Sequence, residues 1–273
     1  MSWPGRLIQL LIVAAAAWVF FAATAPEDAP WFEAPDRNVD WATLTRAPAA
    51  GDFRDTRVEL GNGEQVSESQ IQSLVDQLPA HKRWYAQGWH AGDLPVTTVA
   101  PGTDRKHHFV NAFLVGFVPM RDVPPWVPLY VIAKRKKYLL DKTQYGVEEM
   151  WQTSREAMST LHGDCEDHAI ALADWLIGLG KDARVVLGRA RGEGHAWVVV
   201  VDRDTTWLLE ATDKRRLRRW SYPVASLHSD YVPKEMFNRQ HWWRNTGGAT
   251  VDYVGPHWQR ASTVVSAPGQ RGT

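Results

Sequence analysis

Three short runs of β-branched and aromatic residues follow one another within residues 183–210, and the short turns between them constrain the fold most strongly. The runs are ARVVLGR (183–189), HAWVVVV (195–201) and TTWLLE (205–210), and the segments between them are rich in Gly or Asp. Connections this short join antiparallel strands, because a parallel crossover needs a dozen or more residues. The sequence therefore predicts an antiparallel meander here.

A helix is predicted immediately before this meander, over residues 164–179. Gly180 follows as a helix-ending signal. The apolar positions recur at helical spacing: Ala169, Leu172, Ala173, Leu176 and Ile177. A helix with one apolar stripe must bury that stripe against another element, and the meander is the nearest one. The predicted fold class is α+β, with this helix packed on an antiparallel sheet.

Cys165, in the first turn of that helix, is the single cysteine of the 273-residue chain. One cysteine excludes a disulfide within the chain and a multi-cysteine zinc site. Unpaired backbone N–H groups and the helix dipole stabilise a thiolate in a first turn. The same N–H groups can donate to the oxyanion of a tetrahedral intermediate, with Trp151 or Gln152 as candidate second donors.

His195 and Glu210 are the candidate partners of this thiol. His195 opens a predicted strand after a Gly-rich turn, and Glu210 ends the next predicted strand. An imidazole activates a thiol by taking its proton, and an acid orients the imidazole. Asp213 is the reserve candidate for the acid. Each residue alone also has an ordinary structural interpretation, as a buried thiol, a turn histidine or a solvated acid.

The segments that carry these residues resemble a known superfamily. HGDCEDHAIALADWLIGLGKDARVVLG, GHAWVVVV and WLLEAT together resemble the core of the transglutaminase-like superfamily. The stretch YGVEEMWQTSREAMSTLHGDCEDHAIA resembles the bacterial transglutaminase-like cysteine proteinases, and the likeness covers about residues 144–213. It implies a papain-like or transglutaminase-like core with Cys165 as nucleophile, His195 as base and Glu210 as third member. The family more often has Asp at the last position.

The resemblance also implies a substrate class and a metal. Periplasmic members of the family cleave adhesins or other envelope proteins, so a protein or peptide substrate in the cell envelope is expected. Some members bind calcium through acids that flank the cysteine, and Asp164 and Glu166 match those positions. Helix capping by these acids is the alternative, and it needs no metal. A zinc site of His162, Cys165 and His168 is a weaker alternative, because Gly163 interrupts the helical geometry.

The first 25 residues are predicted to be a signal anchor or a signal peptide. Arg6 precedes an apolar run over residues 7–23, and acidic residues follow it, which favours export of the rest of the chain. The run is intermediate in length between a signal-peptide core and a membrane-spanning helix. The expected location is the periplasm, anchored in the inner membrane, or the exterior if the segment is cleaved. The formal net charge of zero gives no indication of nucleic-acid binding.

The remaining organisation is predicted from composition and capping patterns. Residues 26–60 are predicted to be an extended linker, residues 61–260 the enzyme domain, and residues 261–273 a disordered tail. Within the domain, Ser67 and Thr153 each begin a capping-box pattern. A further helix is predicted over residues 128–141, with a solvated basic face formed by residues 134–137.

The sequence thus favours an exported cysteine hydrolase that cleaves peptide or amide bonds through a thioester acyl-enzyme. A protein-crosslinking acyltransferase would use the same three residues with an amine acceptor in place of water. A non-catalytic binding module of the envelope would keep the fold without the chemistry. None of these needs a cofactor for the chemistry itself.

Overall fold

The computed structural model describes residues 53, 56–203, 205–213, 224–248 and 252–265. The predicted signal segment, most of the predicted linker and residues 266–273 lie outside these ranges. None of the helices inside them has the length and apolar character needed to cross a membrane.

The described residues form strands in three sheets and five α-helices. In chain order the strands are β1 (Arg57–Leu60), β2 (Gln65–Ser67), β3 (Gln87–Ala91), β4 (Leu94–Pro101), β5 (His107–Phe109), β6 (Lys137–Tyr138), β7 (His162–Gly163), β8 (Asp182–Ala190), β9 (Glu193–Asp202), β10 (Thr205–Leu209), β11 (Tyr231–Phe237), β12 (His241–Asn245) and β13 (Trp258–Val265). The helices are α1 (Glu68–Val75), α2 (Val127–Arg135), α3 (Asp141–Gln144), α4 (Ser154–Ser159) and α5 (Cys165–Gly178).

The largest sheet has eight antiparallel strands in the order β10-β9-β8-β11-β12-β13-β1-β2. Its first three strands are the predicted meander, and α5 is the predicted helix, so the α+β class is confirmed. The predicted domain limits at residues 61 and 260 are too narrow, because β1 and β13 pair with each other from Arg57↔Val265 to Leu60↔Ser262. Backbone groups in a sheet interior need partners, and each of these two strands supplies them for the other.

Helix α5 lies at the centre of the helical layer. It packs on β8 and β9 on one side and against α2 and α4 on the other. This double contact explains why residues 166–176 are all buried and why apolar residues occur on all sides of the helix over residues 169–173. The capping boxes at Ser67 and Thr153 are confirmed. Each of these side chains accepts a hydrogen bond from the backbone N–H of residue N3, and the N3 side chain accepts one from the backbone N–H of the N-cap residue.

The predicted helix over residues 128–141 ends early, and the predicted solvated basic face holds for Lys134 and Lys137 but not for Lys136. Helix α2 ends at Arg135, and the chain then extends into β6, which pairs in parallel with β7. Lys136 is only 2% exposed. Its ammonium donates to Gln152 Oε1 at 3.0 Å and to the His162 carbonyl at 2.9 Å. These buried acceptors hold Lys136 inside, because a buried ammonium is stable only when it has hydrogen-bond partners.

Asp174 connects α5 to three other segments of the chain. Its fully buried carboxylate accepts from the backbone N–H groups of Gly116 and Phe117, both at 2.8 Å. The same carboxylate accepts from the Ser154 hydroxyl and pairs with the Arg239 guanidinium. The charge is therefore satisfied by four donors from outside α5.

Replacing Asp174 by Ala should destabilise the protein by about 3–5 kcal/mol, because it removes the buried partner of a guanidinium, a hydroxyl and two backbone N–H groups. Urea unfolding followed by tryptophan fluorescence measures this. Asp182→Ala is the matched control: Asp182 also pairs with an arginine, Arg184, but its side chain is 42% exposed. The control should cost at most about 1 kcal/mol. Equal losses in the two variants would contradict the anchoring role of Asp174.

Candidate active site

Cys165 begins α5, at the point where β7 runs into the helix. Asp164 is the N-cap residue, and its side chain makes no capping hydrogen bond. The Cys165 N–H lies in the first turn, where the helix itself offers no acceptor. The Cys165 thiol is partly exposed and donates to Glu166 Oε2 at 3.3 Å. The nucleophile candidate is therefore accessible and lies at the positive end of the longest described helix.

His195 and Glu210 meet at the same end of neighbouring strands. β9 and β10 pair from Thr205↔Asp202 to Leu209↔Val198, so Glu210 emerges beside the start of β9. His195 Nε2 and Glu210 Oε2 are 2.7 Å apart, which is a short, charge-assisted hydrogen bond. The predicted pairing of these two residues is thus present in the structure. Their side chains are 16% and 3% exposed, respectively.

Two further residues hold the Glu210 carboxylate, and the sequence did not identify them as parts of the site. Thr212 donates to Glu210 Oε1 through its backbone N–H at 2.9 Å and its hydroxyl at 2.6 Å. The Tyr231 hydroxyl donates to Oε2 at 3.0 Å. Thr212 lies in the EAT segment that carries the resemblance, whereas Tyr231 comes from β11 and has no local signal. These donors hold the Glu210 carboxylate in place, and the carboxylate in turn orients the His195 imidazole.

His195 also interacts with Cys165, so the three residues lie in the order Cys–His–Glu. Burial by itself lowers the pKa of His195, but the hydrogen bonds to Cys165 and Glu210 outweigh it and raise that pKa to about 10. Burial likewise favours the neutral form of Glu210, yet the bond to His195 leaves the pKa of this carboxyl below its usual value. The imidazole is therefore in its charged, doubly protonated form at neutral pH, and it lies between the Glu210 carboxylate and the Cys165 sulfur.

Trp197 and Gly188 shape the floor beneath the imidazole. The His195 and Trp197 rings stack with centroids 6.2 Å apart. Gly188 lies opposite His195 on β8, and a Cβ there would meet the Trp197 ring at 2.8 Å and the Val232 carbonyl at 2.3 Å. Only glycine fits such an approach, so Gly188 permits the tryptophan to lie beneath the histidine.

The other candidates from the sequence are engaged elsewhere. Asp213, the reserve acid, is paired with Arg191 at 3.6 Å. Trp151 Nε1 donates to Glu149 Oε2 at 2.9 Å. The Gln152 amide donates to the Tyr145 hydroxyl at 2.9 Å and to the His162 carbonyl at 3.0 Å. Neither of the two suggested oxyanion donors is directed to the substrate side of the thiol.

A cluster of buried acids adjoins the other side of Cys165. Two sets of carboxylate oxygens lie within 4.8 Å of one another and share Asp141: one set adds Glu149 and Glu166, the other Asp164 and Asp167. Asp164 and Glu166 were predicted as metal ligands, and the structure places one in each set. The sequence did not identify Asp141 and Glu149, because α3 and the loop after it reach the site only through the fold.

The electrostatics of this cluster are those expected of uncompensated acids. Burial, reinforced by Asp164 and Asp167, raises the pKa of Asp141 to about 9. Burial also raises the pKa of Asp167 to about 7, although the nearby Lys136 opposes this. Among the described residues of this cluster, four buried carboxylate oxygens have no hydrogen-bond partner: Asp141 Oδ1, Asp164 Oδ1, Glu166 Oε1 and Asp167 Oδ2. Several converging carboxylate oxygens are the donor set that fits a hard divalent cation.

The fold and the site together define an α+β domain of peptidase-like type. Its site contains a cysteine next to a histidine that is hydrogen-bonded to a glutamate. Residues 149–251 match the family model of the CEP76 peptidase-like domain, and this range contains Cys165, His195 and Glu210.

Matches to individual proteins cover limited parts of their sequences. The chain is 37% identical over 81 residues to Centrosomal protein of 76 kDa from Pongo abelii, which is 29% of this chain and 12% of that protein. It is 42% identical over 62 residues to the Mus musculus protein of the same name (22% and 9%). Protein CC2D2B from Homo sapiens is 38% identical over 61 residues (22% and 4%). The chain thus matches about a tenth or less of each relative's length.

Solved structures of LapG from Legionella pneumophila are also similar. The calcium-bound form aligns with a TM-score of 0.38 at 16% identity, covering 71% of this chain and 96% of LapG. The EGTA-treated form aligns with a TM-score of 0.37 at 17% identity, covering 66% and 86%.

Removing the sulfur should lower the pKa of His195. In Cys165→Ala the imidazole loses one of its two hydrogen-bond partners, so its pKa should fall by about 1–3 pH units. NMR titration of the imidazole signals measures it, with His108, which is held by Glu68 and Asp104, as the internal reference. An unchanged His195 titration would mean that the thiol and the imidazole do not interact.

Proposed function

We propose that this protein is an exported cysteine hydrolase that cleaves peptide or amide bonds of envelope proteins. The observation that carries the proposal is the arrangement of Cys165, His195 and Glu210, in which His195 is hydrogen-bonded to Glu210 and interacts with Cys165. The transglutaminase-like resemblance of residues 144–213 and the match to a peptidase-like domain agree with it. The location rests on the apolar N-terminal run and the acidic residues that follow it.

The three residues would act in an acyl-enzyme mechanism. His195 takes the proton of the Cys165 thiol, and the thiolate attacks the carbonyl carbon. The thioester forms as His195 donates that proton to the leaving amine. Glu210 holds the ring through Nε2, which leaves the other ring nitrogen for the sulfur and the leaving group. Water then attacks the thioester with His195 as base, and the acid product leaves.

The first test compares the reactivity of the thiol with and without its partners. Iodoacetamide should alkylate wild type at pH 7 at least about tenfold faster than His195→Ala, because the imidazole stabilises the thiolate. Glu210→Gln should lie between the two, since the ring keeps its place but loses a charged partner. Equal rates in all three proteins would refute an activated thiol.

Hydrolysis of envelope proteins needs its own test. Envelope extracts incubated with wild type should gain new protein N-termini, detected by N-terminal labelling, and extracts incubated with Cys165→Ala should not. Addition of a fluorescent primary amine separates the two reaction types: an acyltransferase would couple the amine to protein, and a hydrolase would leave it free. An activated thiol with neither product would favour a binding module.

We further propose that the acidic cluster binds calcium. Asp141, Asp164, Glu166 and Asp167 would supply oxygens, and the cation would offset the negative charge of Glu166 next to Cys165. The unpartnered buried oxygens support this assignment. Capping, the alternative role for Asp164, is not supported by its side chain, which makes no capping bond.

The raised pKa of Asp141 predicts a proton linkage. With this pKa at about 9 in the folded protein and near 4 in the unfolded one, the folded state binds the extra proton at pH 7. The stability of the cation-free protein should therefore fall as the pH rises from about 4 towards 9. Calcium needs ionised carboxylates, so its binding at pH 7 should release protons.

Calorimetric titration with CaCl₂ in two buffers of different ionisation enthalpy measures these protons. Asp141→Asn should weaken the binding and reduce the proton release. Asp182→Asn, which removes an exposed acid, should change neither. A titration of wild type without binding heat in either buffer would remove calcium from the proposal.

A further inference from the structure

Tyr138 lies beside the start of the nucleophile helix. β6 and β7 pair in parallel with Tyr138 opposite Gly163, and the Leu139 N–H donates to the Gly163 carbonyl at 3.1 Å. Cys165 comes two residues after Gly163, so this pairing brings Tyr138 alongside the first turn of α5. The Tyr138 ring centroid is 6.3 Å from that of His168, which lies one turn along the helix from Cys165.

The Tyr138 side chain is half exposed and close enough to Cys165 to interact with it electrostatically. The residue is 49% exposed, so a bound polypeptide can reach it. Partial burial raises the pKa of its phenol, and its interactions with Cys165, Asp164 and Glu166 raise it further. The hydroxyl therefore keeps its proton at all physiological pH values and is available as a hydrogen-bond donor near the sulfur.

The site needs such a donor. A tetrahedral intermediate carries a negative oxygen, and one N–H group from the first turn leaves room for a second donor. Trp151 and Gln152 are buried and their donors are engaged with Glu149, Tyr145 and His162. Tyr138 is the exposed donor-bearing side chain that the ribbon of β6 and β7 holds next to Cys165.

We propose that Tyr138 is a catalytic residue whose hydroxyl, together with the Cys165 N–H, donates to the substrate oxygen as it becomes an oxyanion. When the sulfur bonds to the carbonyl carbon, the π electrons of the C=O bond move onto this oxygen. When the intermediate collapses, they reform the C=O bond, and the C–N bond breaks as the amine takes its proton from His195. The assignment rests on the proposed hydrolase function.

Two reactions at the same sulfur distinguish oxyanion stabilisation from thiol activation. p-Nitrophenyl acetate acylates the sulfur through a tetrahedral intermediate, and iodoacetamide alkylates it by displacing iodide without forming an oxyanion. Tyr138→Phe should slow acylation, measured as the burst of p-nitrophenol, by about 10²-fold. It should leave the alkylation rate unchanged. Tyr85→Phe, the same change at another exposed tyrosine, should affect neither reaction.

Each other outcome overturns the assignment of Tyr138. Equal slowing of both reactions would mean that Tyr138 supports the thiol itself, and no slowing of acylation would mean that it does not contact the oxygen. Rapid alkylation of wild type with no acylation at all would reject both the hydrolase function and the role of Tyr138. Circular dichroism and the thermal midpoint verify that the variant is folded, and Tyr138→Leu provides a second variant without the hydroxyl.

Discussion

The antiparallel pairing of β9 with both β8 and β10 is the constraint on which the site depends. It fixes His195 opposite Gly188 and sets Glu210 at the end of the neighbouring strand. Side chains alternate between the two faces of a strand, so a slip of one residue would turn His195 away from Cys165. The register is held in turn by the buried side chains of β9: the strand packs on α5, and Trp197 and Val199 belong to a core cluster with Val186 and Leu208. The core packing and the chemical geometry therefore have the same cause.

Buried carboxyl groups lie on both sides of Cys165, but only those on the His195 side have enough hydrogen-bond donors to stay ionised. On the His195 side, Glu210 is buried but accepts from an imidazole, a hydroxyl, a threonine and a backbone N–H, so its charge is stabilised. On the other side, the carboxyls of Asp141 and its neighbours share space with few donors, and burial raises the pKa of Asp141 to about 9, so this carboxyl stays protonated at neutral pH. A rigid orienting acid needs the first arrangement. A site that exchanges protons for a cation needs the second.

The sequence predicted what depends on local patterns. Periodicity and short turns gave α5 and the meander, and the two capping boxes follow from residues three positions apart. It did not predict Asp141, Glu149 or Tyr231, because only the tertiary fold brings them to the site. Lys136 was misassigned since it lies in a basic run that is typical of a solvated face, whereas the acceptors that bury it come from Gln152 and His162. His195 and Glu210 could be proposed from the sequence because they lie at the ends of strands. The hydrogen bonds that hold them could not be predicted, because they depend on the tertiary fold.

Glu166 contacts both the Cys165 thiol and the acidic cluster, so its charge affects the electrostatic potential at the sulfur. Its Oε2 accepts from the Cys165 thiol, while its Oε1 is buried among the acids. Opposite charges about 4 Å apart near a protein surface interact by about 4 kcal/mol, so an ionised Glu166 would largely cancel the attraction between a thiolate and the His195 imidazolium. Burial raises the pKa of Glu166 well above its usual range, which favours the neutral carboxyl and so weakens its repulsion of a thiolate. The helix dipole, worth about 0.3–1 kcal/mol, is the smaller contribution. The burial of Glu166 therefore acts in the same direction as His195, because both favour a negative sulfur.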